Sequence, residues 1–148
     1  MKRKLTVGLA PTRRFVFSAE DAARYKVKVE EKLRALGVRV VTIDPVNREG
    51  LLYERAHADA AAELFRREGV DAVFAPHVNF GTEEVVARLA REVGKPFLLW
   101  GPRDEAPLPD GTRLRDTQCG LFATANVLKK HAVPFSYIVN CRLEDPAF

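Results

Sequence analysis

One tryptophan, one methionine, one glutamine and two cysteines stand in a chain of 148 residues. Cys119 and Cys141 are too few for a disulfide framework, and no CxxC pair offers the four-ligand spacing of a structural zinc site, so both are expected as reduced thiols. The three histidines lack any paired spacing such as HExxH. No apolar run is longer than a strand, which excludes a membrane-spanning helix. Met1-Lys2-Arg3-Lys4 leads straight into Leu5-Thr6-Val7-Gly8-Leu9 without the apolar core or cleavage site of a secretory leader, so a cytoplasmic protein with no membrane partner is expected.

What is present is ordinary for a globular chain: 47% hydrophobic and 30% charged residues, enough for one domain over residues 1–148 that hides roughly 68–70% of its extended-chain surface. The net charge is +4, but 24 basic residues are interleaved with 20 acidic ones. The basic clusters (Lys2 to Lys4, Arg13-Arg14, Lys129-Lys130) are short and scattered, which argues for a solvated surface and against a nucleic-acid partner.

Five segments rich in branched residues read as strands: Leu5 to Ala10, Val38 to Asp44, Val70 to Pro76, Phe97 to Trp100 and Phe135 to Asn140. They are nearly continuous apolar runs, the pattern of strands buried on both faces of a parallel sheet. Helical stretches separate them. Ser18-Ala-Glu-Asp opens the first with a capping box, Ser18 toward the Asp21 amide and the Asp21 carboxylate reaching back. Ala22, Tyr25, Val29, Leu33 and Leu36 form its buried stripe, and Gly37 gives a left-handed stop. The second runs from about Tyr53 to Glu68, burying Ala60, Leu64 and Phe65 ahead of Gly69. The third starts behind Thr82 as N-cap, with Glu83 and Glu84 in the first turn, and stops at Gly94. The fourth spans about Gln118 to His131. Strand and helix alternating in this way predict a three-layer α/β/α, doubly wound five-stranded parallel sheet of flavodoxin-like order 2-1-3-4-5.

In such sheets ligands gather beyond the carboxyl ends of the strands. Pro11-Thr12-Arg13-Arg14, Asp44, His77 to Thr82, Gly101 to Glu105 and Asn140-Cys141-Arg142 all fall there. Neither a dinucleotide fingerprint nor a P-loop follows the first strand, which disfavours NAD and ATP. A flavin mononucleotide phosphate held by Thr12 is a weak alternative. His77 reads as a general base, a metal ligand or a strand-end cap. Asp104 and Glu105 read as an acid-base pair or as a loop anchored by Arg103 or Arg115. Cys119 is a low-pKa thiol at a helix mouth or a small packing residue, and Trp100 a sugar-stacking face or core.

Taken in order, Ala75-Pro-His-Val-Asn-Phe-Gly-Thr-Glu-Glu84, Leu99-Trp-Gly-Pro102, Asp116-Thr-Gln-Cys-Gly120 and Asn140-Cys-Arg-Leu-Glu-Asp145 resemble the N-terminal region of the L-fucose isomerase-like family over nearly the whole chain. The resemblance implies an aldose-ketose isomerase in which a divalent metal, usually manganese, holds the sugar while a proton moves between adjacent carbons. It places the metal ligands, two carboxylates and a histidine, in later domains, so no catalytic residue, metal ligand or cofactor is expected in this chain. The first domain would be a lid over a neighbouring subunit's pocket in a homo-oligomer, with Arg13, Arg14, His77, Asn79, Phe80, Trp100 and Gly101 lining it. Ala10 stands where the family has an arginine and Val78 where it has an aromatic residue. The stop at Phe148, where the family continues, implies a fragment or a stand-alone relative, inactive alone. The alternative function is a stand-alone module binding a small sugar or anion.

Overall fold

The computed structural model describes residues 4–138 and 140–148. Lys2 and the Val139 position of the last expected strand lie outside the described residues. The elements are β1 (Thr6–Leu9), α1 (Ala19–Ala35), β2 (Arg39–Thr42), α2 (Arg55–Arg67), β3 (Ala72–Pro76), α3 (Glu83–Val93), β4 (Phe97–Trp100), α4 (Thr117–Lys130) and β5 (Ser136–Tyr137). All strand pairs are parallel and the sheet order is β2-β1-β3-β4-β5. The expected order and layering hold.

Two buried clusters sandwich the sheet. One joins Phe65, Leu89 and Leu128 of α2, α3 and α4 to Val73, Phe97 and Leu99. The other joins Tyr25, Val29 and Leu33 of α1 to Leu9, Phe74 and Trp100, and is completed by Cys141 and Leu143 of the C-terminal segment, with Phe148 packed against it. α1 therefore shares its side of the sheet with an irregular tail, while three helices cover the other.

The central strands are buried as their apolar runs predict, but the edges are not. In β2 only Val40 is buried, and both residues of β5 are exposed. An edge strand has a neighbour on one side only, and β5 ends after two residues, although the Ile138 amide still donates to Leu99. Leu36 was expected in the α1 stripe; it stands at the C-cap and is 58% exposed, with Val38 packing in its place. Ala60 is also exposed, because the buried face of α2 runs through Ala58, Ala61, Ala62 and Phe65, one residue out of phase with it. Gly37, Gly69 and Gly94 take positive φ at the helix ends, as read.

Ser18 accepts from the Asp21 amide at 3.0 Å. The Asp21 carboxylate does not reach back to complete the box. It pairs instead with Arg24 and, at 3.0 Å, with Arg115, because two guanidiniums are stronger partners for a buried carboxylate than one amide.

Candidate functional site

The chain beyond β1 is stitched to its neighbours past the end of the regular sheet. Thr12 makes isolated parallel bridges to both Leu52 and His77. Its hydroxyl donates to the Leu52 carbonyl at 2.9 Å and accepts from the Thr82 amide at 3.0 Å, so the group that a flavin phosphate would need is buried and occupied within the protein. Thr82 holds the N-cap position of α3, but its hydroxyl makes no cap bond and donates to the Arg13 carbonyl at 2.8 Å.

These anchors present two arginines side by side. Arg13 is 5% exposed, gives Nε and Nη2 to Glu49 at 2.9 and 3.2 Å, and rests against both Phe15 and Tyr53, whose rings meet edge-on 5.2 Å apart. Arg14 is more open. It pairs with Glu83 and rests 4.6 Å from the Phe80 ring centroid, and Phe80 in turn stacks on Phe17 with planes 10° apart. Beside them Phe15 and Val16 are 67% and 79% exposed. The partners Glu49, Glu83, Tyr53 and Phe17 were not foreseen. Glu83 reads in the sequence only as helix-dipole compensation, and the one available signal was the apolar run Phe15-Val16-Phe17 directly after the arginines.

His77 sits beneath this rim, wholly buried. Its ring Nε2 is 2.8 Å from the Thr124 hydroxyl and Nδ1 is 3.3 Å from the Trp100 carbonyl. A neutral ring satisfies both, donating from Nδ1 and accepting at Nε2. Burial pushes its pKa down to about 4, against 6.5 for an ordinary histidine, despite the carbonyl bond that favours the proton. Between those values the unfolded chain takes up a proton that the folded chain refuses. Stability from the neutral ring is therefore complete above about pH 6.5 and is lost as pH falls toward 4, a loss of about 3 kcal/mol. Urea unfolding from pH 7 to pH 4 is expected to show this slope in the parent and a flattened one in His77→Gln.

Trp100 is core: it has no exposed surface and is surrounded by Tyr25, Phe74 and Phe148, the last ring 4.6 Å away edge-on. Gly101 is buried against α4, where an added Cβ would lie 2.9 Å from the Thr117 carbonyl oxygen. Asn79 is buried behind Arg14. Of the residues predicted to face a ligand, Arg13, Arg14, Asn79 and Phe80 come together, His77 lies below them, and Trp100 and Gly101 belong to the packing behind.

Asp104 and Glu105 diverge. Asp104 accepts from the Thr117 amide and hydroxyl, each at 3.0 Å, and burial raises its pKa against those bonds. Glu105 pairs with Arg115, so the anchored-loop reading describes them. Cys119 is neither packed nor activated. It is exposed, and a hydrogen bond with Asp116 together with partial desolvation raises its pKa. Among the cavities away from the rim are one of about 660 Å³ beside Lys95, Phe97 and Pro134, one of about 460 Å³ beside Arg55, Arg88 and His131 and one of about 410 Å³ between α4 and β5, next to the exposed Phe122 and Tyr137. Among the described residues no three His, Cys, Asp or Glu side chains stand together as a metal ion would require, so the side chains present do not fit a manganese centre. None of the helices described is long and apolar enough to cross a membrane.

A three-layer domain with one parallel sheet of order β2-β1-β3-β4-β5 belongs to the doubly wound α/β class. The particular assignment follows from the chain itself. Residues 8–148 match the N-terminal domain of the fucose/sulfoquinovose isomerases, and the chain belongs to that family. No curated protein matches it.

Proposed function

We propose that this chain is the substrate-lid and subunit-contact domain of an aldose-ketose isomerase acting on an uncharged sugar such as L-fucose or D-arabinose, and that it turns over nothing by itself. The observation that carries this reading is the rim of Arg13, Arg14 and Phe80. Both guanidiniums are paired with carboxylates and laid against rings, so the rim carries little net charge; Arg14 and Phe80 are its open faces, and Arg13, 5% exposed, backs them. That suits the hydroxyls and C–H faces of a polyol better than a sulfonate, which would need an unpaired cation. The exposed Phe15 and Val16 supply an apolar contact on the same loop for a neighbouring subunit. The resemblance implies a manganese site in the family's later domains, and among the described residues no three His, Cys, Asp or Glu side chains stand together.

The test is to incubate the chain with manganese and L-fucose or D-arabinose, alone and mixed with the metal-bearing domains of a family member. Ketose is expected only in the mixture. Tight sugar binding by the chain alone, with no gain on mixing, would establish a stand-alone sensor instead. Preferential turnover of sulfoquinovose would overturn the uncharged substrate.

A further inference from the structure

We infer that Asn79 is a positioning residue, whose side-chain amide fixes the place of the Arg14 guanidinium at the rim without itself touching a sugar. The inference rests on the lid reading above.

Asn79 is fully buried and its polar groups are occupied. Oδ1 accepts from the Arg14 amide at 2.8 Å and from the Phe80 amide at 2.5 Å. Nδ2 donates to the carbonyls of Arg14, at 3.3 Å, and Ser18, at 3.5 Å. The Asn79 backbone carbonyl takes the Asp116 amide at 2.9 Å. One side chain thus grips the Arg14 backbone by both its N–H and its C=O, as a neighbouring strand would. With the backbone of Arg14 pinned on both sides, its guanidinium is delivered to the place between Glu83 and the Phe80 ring. Phe80 is itself aimed by the bond its amide gives to Oδ1. The Asp116 contact ties the start of α4 into the same knot.

Only a carboxamide can serve here, because the position needs an acceptor and a donor at once. Aspartate has the same shape, but it loses both donor bonds and sets a carboxylate against the carbonyls of Arg14 and Ser18. The loss falls on the first loop, since β1 and β3 are held by their own ladder.

In the unaltered chain, a scalar coupling across the Arg14 N–H to Asn79 hydrogen bond is expected by NMR, and its absence would overturn the inference without any variant. In Asn79→Asp, exchange of the Arg14 amide is expected to rise about tenfold while the amides of β1 and β3 keep their protection. In the reconstituted isomerase the same variant is expected to raise KM for the sugar about tenfold with kcat nearly unchanged, and to add nothing when combined with Arg14→Lys. Effects of the two substitutions that multiply independently would overturn the positioning role. A mobilised Arg14 with an unaltered KM would overturn the assignment of Arg14 to the sugar, the reading on which the inference stands.

Discussion

Gly120→Ala is expected to destabilise the chain by about 4 kcal/mol, well above the usual cost of one added methyl group. Gly120 lies in the first turn of α4, which rests directly on the turn after β3. A Cβ there would stand 2.6 Å from the Phe80 carbonyl carbon and 3.0 Å from its Cα, and closer still to the carbonyl oxygen. The neighbour is backbone, held by Asn79, and cannot step aside as a flexible side chain would. Helix propensity predicts the opposite sign, since alanine for glycine inside a helix favours folding by about 1 kcal/mol. Urea unfolding therefore separates the two effects. A loss below about 1 kcal/mol would show that the close approach is not rigid. Cys119→Ser, at the exposed position next door, serves as the neutral control.

The second large effect is expected at Arg115→Met. Arg115 and Asp21 retain side-chain exposures of only 4% and 3% and meet at 3.0 Å. Burial opposes the charge of Arg115, but the fields of Asp21 and Glu105 outweigh it and hold the guanidinium above its ordinary pKa. Its face covers the Tyr25 ring at 4.3 Å, and burial drives the Tyr25 hydroxyl up to about 12 even though Arg115 pulls it down. Removing the arginine strands Asp21 in a nearly dry site with Arg24 as its remaining ion-pair partner. The expected cost is about 3–5 kcal/mol. Asp21→Leu combined with Arg115→Met is expected to recover most of it, because two apolar side chains replace a pair whose desolvation nearly cancels its attraction. Equal losses in the single and double variants would show that the arginine acts through packing alone.

The sheet was legible because parallel strands buried on both faces leave an unmistakable mark, a short apolar run such as Ala72 to Pro76 with helix-period residues on either side. That pattern places the carboxyl ends of the central strands β1, β3 and β4, and with them the rim, from the residues alone. What it could not supply was partnership across long separations. Arg13 meets Glu49 and Arg14 meets Glu83, contacts made by loops whose relative reach depends on the folded sheet. Burial at the rim was also hidden. Asn79 and His77 carry polar side chains that read as ligand-facing, yet tertiary bonds satisfy them internally. Trp100 follows the same logic from the other side: an aromatic residue at a strand end is compatible with stacking or with core, and only the tail returning over it decides the matter. The end of β5 was overread because the apolar character of Phe135 and Ile138 serves packing against the sheet margin rather than a continued ladder.

The tail that closes over the α1 side of the sheet gives the molecule a built-in optical gauge. Trp100 is the sole indole of the chain, and it is walled in by Tyr25, Phe74 and the terminal Phe148. Its emission therefore reports on one half of the sandwich alone. Lifting residues 141–148 away would admit water to the fluorophore and redden the spectrum while the three-helix side stayed intact, so docking of that segment can be followed separately from collapse of the rest.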